Sequence, residues 1–234
     1  MLSLKNVSMG YDEKALLKNV NIDFAENRIY ALLGKSGSGK RTLLKGISNI
    51  LPHMGEITLK DKPLNVKKQR LALVPQKNSL VKWQTVRQNI LLPHKLRKEV
   101  APQNLEELCA ELGIAHLLDK YPGHLSGGEQ QRAAIATALL FQPDILLLDE
   151  AFSALDAITK DEVHTAFLNA ITKHKVTTVF VTHDIDEALY LAESIIILKN
   201  GNLLENMENP LFGITKQEKP LAYSKSHQEI KELI

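Results

Sequence analysis

A glycine-rich run ahead of a helical pattern is the first part of the chain that could bind a ligand. Residues 34–40 read Gly-Lys-Ser-Gly-Ser-Gly-Lys. Glycines let backbone N–H groups wrap around a polyphosphate, and a helix that follows adds its positive N-terminal end. We expect Lys40 to reach the β- and γ-phosphates as a compact charge, and Thr42 to hydrogen-bond nearer the α-phosphate. The residues predicted to bind a nucleotide here are Gly34, Lys35, Ser36, Gly37, Ser38, Gly39, Lys40, Arg41 and Thr42.

Arg41 stands at the eighth position, where a phosphate-binding loop has a Ser or Thr that ligates Mg²⁺. A guanidinium group has no lone pair to offer a metal. Thr42 is a poor substitute, because one step along a helix turns the side chain by about 100° and moves it by about 1.5 Å. Two interpretations stay open. One is a tolerated variant in which phosphate oxygens, waters and other polar ligands hold Mg²⁺, and the other is an impaired ATPase.

Two acids follow a short apolar segment in the second half of the chain. Residues 145–150 read Ile-Leu-Leu-Leu-Asp-Glu, the pattern of a buried strand that ends in Asp149 and Glu150. At the carboxyl end of a strand in an α/β sheet, such a pair is expected beside the phosphate loop. Asp149 would then meet Mg²⁺ through water, and Glu150 would orient or deprotonate the attacking water. The simpler alternative is that both acids cap the next helix.

An octet between these two motifs is a third candidate. Residues 125–132 read Leu-Ser-Gly-Gly-Glu-Gln-Gln-Arg, and a helical run follows them. Ser126 and the glycine pair would open a helix whose N-terminal N–H groups and dipole can bind a γ-phosphate. A plain helix cap would need only Ser126. The predicted binding residues of this segment are Ser126, Gly127, Gly128 and Glu129.

The octet resembles the signature of the ABC ATPase family, and the family's other motifs follow in the expected order over residues 2–205. The resemblance implies that Tyr11 stacks on adenine and that Gln76 contacts both Mg²⁺ and the membrane partner. It also implies that the loop from Ser153 to Asp156 contacts a second copy, and that His183 is the switch histidine. Taken alone, Tyr11 could be surface packing, Gln76 a loop amide and His183 an ordinary polar residue. The order of the motifs favours the family roles.

The apolar pattern predicts an α/β fold. Short β-rich runs in the opening third indicate a partly antiparallel sheet, residues 85–118 have helical periodicity, and strands alternate with helices beyond residue 144. The continuously apolar strands there indicate a parallel sheet. The resemblance implies a P-loop NTPase (RecA-like) core with an antiparallel β subdomain and an inserted α-helical subdomain. We expect a single ABC ATPase domain over 1–234, with the core and β subdomain at 1–84 and 143–205, the helical subdomain at 85–142 and a C-terminal tail at 206–234.

The composition restricts the partners and the cellular location that we expect for this protein. The 234 residues are 44% hydrophobic and 24% charged, and the formal net charge of +2 is too balanced to indicate a nucleic-acid surface. The single cysteine, Cys109, permits a reducing compartment. We see no export signal, and the apolar runs fall short of the roughly 20 residues that cross a bilayer. The expected location is cytoplasmic, peripheral on the inner face of the cell membrane.

The resemblance implies an ATPase that works as a head-to-tail dimer with two ATP molecules and drives separate transmembrane permease subunits. Residues 80–86 and 184–189 look like the nitrate, sulfonate and taurine importer group, which adds an extracellular solute-binding protein as an indirect partner. Two other functions remain open. One is an ABC protein that acts on DNA or the ribosome, although such proteins usually carry a coiled coil or two cassettes in one chain. The other is a nucleotide-binding regulatory subunit that hydrolyses little ATP because of Arg41.

Overall fold

The computed structural model describes residues 1–11, 14–76 and 80–234. Contacts within the chain divide it into two compact units. The first unit joins residues 1–69 to 177–234, and the second unit is residues 70–176. Strands and helices are numbered along the chain.

An antiparallel sheet in the first unit has the strand order β2-β1-β4-β5. Apolar residues such as Leu2, Leu4 and Val7 are buried on β1. This sheet confirms the antiparallel part of the prediction, and its strands extend further than the β-rich runs indicated. The strands are β1 (Leu2–Tyr11), β2 (Lys14–Phe24), β4 (His53–Leu59) and β5 (Lys62–Pro63).

The other strands of the first unit run in the order β10-β9-β3-β8. β3 pairs in parallel with both β8 and β9, and β10 returns antiparallel to β9. Every residue of β8 is buried, as the continuously apolar pattern beyond residue 144 predicted for parallel strands. β3 corrects the prediction, which groups its run with the partly antiparallel sheet of the opening third: the strand is fully buried and pairs in parallel on both sides. The strands are β3 (Ile29–Leu33), β8 (Thr178–Val181), β9 (Ser194–Lys199) and β10 (Asn202–Glu208).

The described residues of the first unit form three helices. α1 (Lys40–Ile47) follows β3 after the glycine-rich loop, which confirms the helix predicted behind the glycine-rich run. α6 (Ile185–Leu191) follows β8. α7 (Pro220–Leu233) lies in the stretch from which the sequence pattern yielded only a tail.

The second unit contains two parallel strands, β6 (Leu71–Val74) and β7 (Ile145–Asp149). Helices between them confirm the helical character predicted for residues 85–118. His94 Nε2 lies 3.0 Å from the Leu140 carbonyl oxygen and links α2 to the end of α4. The helices are α2 (Val86–Arg97), α3 (Leu105–Glu111), α4 (Gly127–Leu140) and α5 (Ala157–His174). Within the described ranges, no helix is both long enough and apolar enough to span a bilayer.

Candidate nucleotide-binding and hydrolysis site

Lys40 is held inside the glycine-rich loop by the loop's own oxygens. Its ammonium donates to the Gly34 carbonyl at 2.6 Å, to the Lys35 carbonyl at 2.9 Å and to Ser38 Oγ at 3.4 Å. The residue is only 6% exposed. The positive charge is therefore already fixed at the loop. Binding a polyphosphate would then cost little further loss of side-chain conformational freedom.

Two glycines fix the path of this loop. A Cβ at Gly34, whose φ is 152°, would lie 2.2 Å from the backbone oxygen of Leu198 on β9. Gly39 forms the N-cap of α1 in the left-handed region at φ 105°, and a Cβ there would meet Leu17 at 2.8 Å. A side chain at Gly34 would push the loop away from β9, and one at Gly39 would displace Leu17 and occupy a backbone region that favours glycine.

Arg41 and Thr42 occupy the first turn of α1 in different environments. Arg41 is exposed, whereas Thr42 is 3% exposed and packed into the protein. The roles predicted for Arg41 and Thr42 stay predictions. No atom of the Arg41 side chain can ligate a metal.

Tyr11 lies at the end of β1 and is 48% exposed. Its hydroxyl accepts a hydrogen bond of 3.0 Å from Lys45 Nζ, which also lies 5.4 Å from the centre of the Tyr11 ring. The ring is thus available at the surface while α1 orients it. Sequence reasoning missed Lys45, because no short-range pattern connects two residues that lie 34 positions apart.

In the second unit, Gln76 is in contact with the proposed general base. Gln76 Nε2 donates to Glu150 Oε2 at 2.9 Å and to Ser153 Oγ at 3.1 Å. Ser153 Oγ in turn donates to the Glu150 backbone oxygen at 2.9 Å. Sequence reasoning placed Gln76 and Glu150 in the site, and Ser153 only in the dimer-contact loop. The structure adds Ser153 as a residue that orients the other two.

Glu150 has a left-handed backbone with φ at 47°, directly after β7. A non-glycine residue in this region costs about 1 kcal/mol or more, and such conformations often occur at functional sites. The turn fixes the direction in which Glu150 leaves the strand. Gln76 and Ser153 hold the carboxylate and the backbone of the same residue, so its geometry is determined from two sides.

The oxygen donors of the second unit suit a hard divalent cation. Asp149 supplies a carboxylate at the end of β7, and Gln76 has an amide oxygen besides the nitrogen that binds Glu150. The described residues contain no cluster of three or more His, Cys, Asp or Glu that would hold a metal alone. Phosphate oxygens and waters would therefore have to complete such a site, as Mg²⁺ normally requires.

The signature segment forms the N-terminus of α4. The Ser126 side chain accepts from Glu129 N at 3.3 Å, and Glu129 Oε2 accepts from Ser126 N at 2.7 Å, which is a reciprocal capping box. The Ser126 backbone N–H holds the pKa of the Glu129 carboxyl below its usual range. A Cβ at Gly128 would lie 2.2 Å from Thr159 Cγ2, so only glycine allows α4 to approach α5 this closely.

Asp156 is the N-cap of α5. Its Oδ1 accepts from the backbone N–H of Thr159 at 3.1 Å. Hydrogen bonds from the Thr159 side chain and backbone lower the pKa of this carboxyl, so it stays charged at neutral pH. The structure therefore gives Asp156 a capping role, and the predicted contact with a second copy stays a prediction.

His183 is exposed in the connection between β8 and α6. The residues on either side of it are tied down. Thr182 Oγ1 donates to Glu187 Oε2 at 3.1 Å and accepts from Asp184 N at 3.0 Å. Asp184 Oδ1 accepts from the backbone N–H groups of Asp186 and Glu187 at 3.0 and 3.3 Å. An exposed imidazole is thus carried by a well-ordered turn.

The predicted site residues fall in two sets. The first unit contains the phosphate loop, Tyr11 and His183, and the second unit contains Gln76, Asp149, Glu150, Asp156 and the signature segment. Within the second unit the structure brings Gln76 and Glu150 into contact.

Comparison with known proteins agrees with this set of motifs. The profile of the family described as ABC transporter matches residues 17–153. The chain belongs to the ABC transporter family.

Several relatives of known description are similar to the chain. The aliphatic sulfonates import ATP-binding protein SsuB 1 of Pseudomonas fluorescens is 37% identical over 204 residues, which cover 87% of this chain and 75% of that protein. The sulfate/thiosulfate import ATP-binding protein CysA of Synechocystis is 37% identical over 207 residues, 86% of this chain and 58% of that protein. Import ATP-binding proteins for sulfonates are the group that the sequence resemblance pointed to.

Solved structures confirm the fold class. CbiO1 from Clostridium perfringens, described as part of the ABC transporter complex CbiONQ, superposes with a TM-score of 0.81 at 24% identity and covers 98% of this chain and 94% of that one. A dimeric ATP-binding cassette solved in a post-hydrolysis state with ADP and phosphate has a TM-score of 0.76 at 30% identity, covering 89% of this chain and 98% of that one. The chain therefore has the P-loop NTPase fold of these cassettes.

Proposed function

We propose that this chain is the ATP-binding and ATP-hydrolysing subunit of an ABC importer. The observation that carries the proposal is the phosphate loop between β3 and α1, with Lys40 buried among the loop's own oxygens. Family membership and the import ATP-binding relatives support the same function.

In the proposed reaction, the loop and Lys40 hold the phosphates of ATP, and Tyr11 stacks on the adenine. Glu150 orients or deprotonates the water that attacks the γ-phosphate, held in place by Gln76 and Ser153. His183 contacts the γ-phosphate from its ordered turn. Mg²⁺, when bound, neutralises the charge of the phosphates, and Asp149 and Gln76 are the residues that would hold it.

We infer that two copies form the working unit. The N-terminus of α4 at Ser126 and Gly127 can bind a γ-phosphate of the opposing copy, and Asp156 would contact that copy. The dimeric cassette with ADP and phosphate supports this arrangement. ATP would then be enclosed between the phosphate loop of one chain and the signature segment of the other.

We infer that transmembrane permease subunits bind the second unit. A cleft of about 740 Å³ opens beside Gln76, so a permease segment seated there would respond to changes around the hydrolysis site. An extracellular solute-binding protein would deliver the cargo to those subunits, and this chain would stay on the inner face of the membrane. The cleft is lined by residues that include Gln76, Leu80, Lys82, Tyr121, His124 and Gln130.

The comparisons give no support to the alternative of a catalytically impaired regulatory subunit, nor to an ABC protein of DNA or the ribosome. The import ATP-binding relatives favour a working ATPase. We propose that Arg41 is a tolerated variant of the phosphate loop.

The test of this function is ATP-dependent dimerisation of the Glu150→Gln variant. This variant keeps the ATP site and loses the proposed base, so we expect a stable dimer with ATP, measured by light scattering after size exclusion. Glu150→Gln combined with Lys40→Ala should remain monomeric, because the phosphates lose their cation. A Glu150→Gln protein that binds ATP and stays monomeric would contradict the proposal.

A further inference from the structure

The turn that carries His183 leads directly into α6, which has only seven residues. Helices shorter than about 12 residues are marginal on their own, so packing contacts have to hold this one in place. The turn and the helix share hydrogen bonds through Asp184 and Glu187. Whatever fixes α6 therefore also fixes the position of His183.

The C-terminal end of α6 is held by residues that follow β10. The buried side-chain amide of Asn209 donates to the Leu189 carbonyl at 2.7 Å and to the Ala192 carbonyl at 2.6 Å. The backbone N–H of Gly213 donates to the Tyr190 carbonyl at 2.9 Å. These bonds satisfy carbonyl groups that a helix end leaves without intrahelical partners.

The first turn of α6 is held by α7. Tyr223 is 2% exposed, and its hydroxyl donates to the backbone oxygen of Asp186 at 3.2 Å. Burial raises the pKa of this hydroxyl well above its usual range, so it remains a donor at physiological pH. The side chains of Lys216 and His227 also face the Asp186 carboxylate, with Lys216 Nζ at 3.4 Å and His227 Nε2 at 4.0 Å.

We infer that Tyr223 is a positioning residue for His183, and that the segment from Asn209 to the end of α7 sets how well the switch histidine is placed. The path from Tyr223 to the turn consists of three hydrogen bonds. The Tyr223 hydroxyl donates to the Asp186 backbone oxygen. The Asp186 backbone N–H donates to the Asp184 side chain, and the Asp184 backbone N–H donates to the Thr182 hydroxyl. Thr182 and Asp184 flank His183 on both sides. The role of His183 in hydrolysis depends on the proposed function. The effect of Tyr223 on the position of His183 depends only on the contacts described above.

The first arm of the test measures the position of His183 without turnover. In the full-length chain carrying ¹³C-labelled histidine, the imidazole signal of His183 is assigned by its loss in His183→Ala. We expect Tyr223→Phe, which removes only the hydroxyl, to shift or broaden that signal. Tyr30→Phe is the matched control, because Tyr30 is 3% exposed and its hydroxyl accepts from Ala25 N at 2.8 Å near the start of β3.

The second arm measures ATP hydrolysis by the same proteins. Tyr223→Phe should lower kcat about two- to tenfold, the range that loss of one net hydrogen bond allows, with the Kd for ATP unchanged. In the His183→Ala background the same substitution should have no further effect, because it acts through the imidazole. Tyr30→Phe should leave kcat as it is, although it destabilises the fold to a similar extent.

An unchanged His183 signal in Tyr223→Phe would overturn the inference, as would an equal effect of Tyr30→Phe on that signal. Any further loss of kcat when Tyr223→Phe is added to His183→Ala would also overturn it, since Tyr223 would then act by another route. Absence of ATP hydrolysis in the unaltered protein would contradict the proposed function, and the NMR arm would still decide the inference.

Discussion

Gln76 Nε2 donates a hydrogen bond of 2.9 Å to Glu150 Oε2, and this contact joins the residues that follow β6 and β7. The same amide nitrogen reaches Ser153 Oγ at 3.1 Å. The family resemblance implies that Gln76 contacts Mg²⁺ and the permease. The structure adds a hydrogen bond from Gln76 to the proposed general base, Glu150. A permease that moves Gln76 would therefore change the orientation of the Glu150 carboxylate.

The first prediction follows from that contact. Gln76→Ala should lower kcat by about 10- to 100-fold, as loss of an orienting partner does at comparable sites, while the Kd for ATP changes little. Ser153→Ala is the comparison variant, because it removes the contacts of Ser153 with both residues but leaves the bond between Gln76 and Glu150 intact, and it should lower kcat less than Gln76→Ala does. Rapid-mixing hydrolysis assays and nucleotide titrations measure both constants. A kcat that stays unchanged in Gln76→Ala would show that the Gln76 contact does not orient the base.

The second prediction concerns Arg41. Arg41→Ser restores a hydroxyl at the position where phosphate loops ligate Mg²⁺. We expect the Kd for Mg²⁺ to fall by about tenfold and kcat to rise. Arg41→Ala is the control, because it removes the guanidinium charge and adds no ligand. The readouts are Mg²⁺ binding in the presence of a non-hydrolysable ATP analogue and steady-state hydrolysis. If Ser and Ala behave alike, the effect comes from charge and not from a metal ligand.

The third prediction uses two neighbouring glycines at the start of α4. Gly128→Ala places a Cβ 2.2 Å from Thr159 Cγ2, and overpacking of this kind should destabilise the protein by about 1–3 kcal/mol. Gly127→Ala meets only Leu155 Cδ2 at 3.6 Å, an ordinary contact, and should be nearly neutral or slightly stabilising. Thermal and urea unfolding curves compare the two variants. A neutral Gly128→Ala would mean that α4 and α5 are not as close as described.

The fourth prediction is a pH dependence in the capping box of α4. The bond from the Ser126 backbone N–H lowers the pKa of Glu129, so its charged form contributes stability above the unfolded pKa. That contribution is lost as the pH falls through the lowered pKa of the folded state. Glu129→Gln retains an acceptor and does not titrate. We expect the difference in urea midpoint between the native protein and this variant to shrink between pH 7 and about pH 3, and a difference that is constant with pH would contradict the assignment.

Local chemistry explains why much of the site could be predicted from the sequence. The phosphate loop, the two acids after β7 and the cap at Ser126 each depend on a few adjacent residues, whose types fix the backbone or the charge. The antiparallel sheet and the parallel strands beyond residue 144 were also predictable, because the apolar patterns of their strands differ. The prediction assigns β3 to the wrong sheet, since its run lies among the antiparallel strands in the sequence and pairs with strands far along the chain.

Contacts between distant residues were not predictable in the same way. The bond from Lys45 to Tyr11 and the bond from Tyr223 to Asp186 depend on how elements pack, and nothing in the spacing of these residues indicates a contact. α7 carried one local signal that sequence reasoning did not use. Pro220 is its first residue, a position at which proline is favoured.

The most direct test of the central claim is steady-state ATP hydrolysis by the purified full-length chain across a Mg²⁺ titration, with Glu150→Gln as the blank. We predict Mg²⁺-dependent turnover in the unaltered protein and a loss of about 100-fold or more in Glu150→Gln, whose ATP affinity should be retained. Tight ATP binding without turnover at any Mg²⁺ concentration, or equal turnover in both proteins, would contradict the assignment of this chain as an ATPase that uses Glu150.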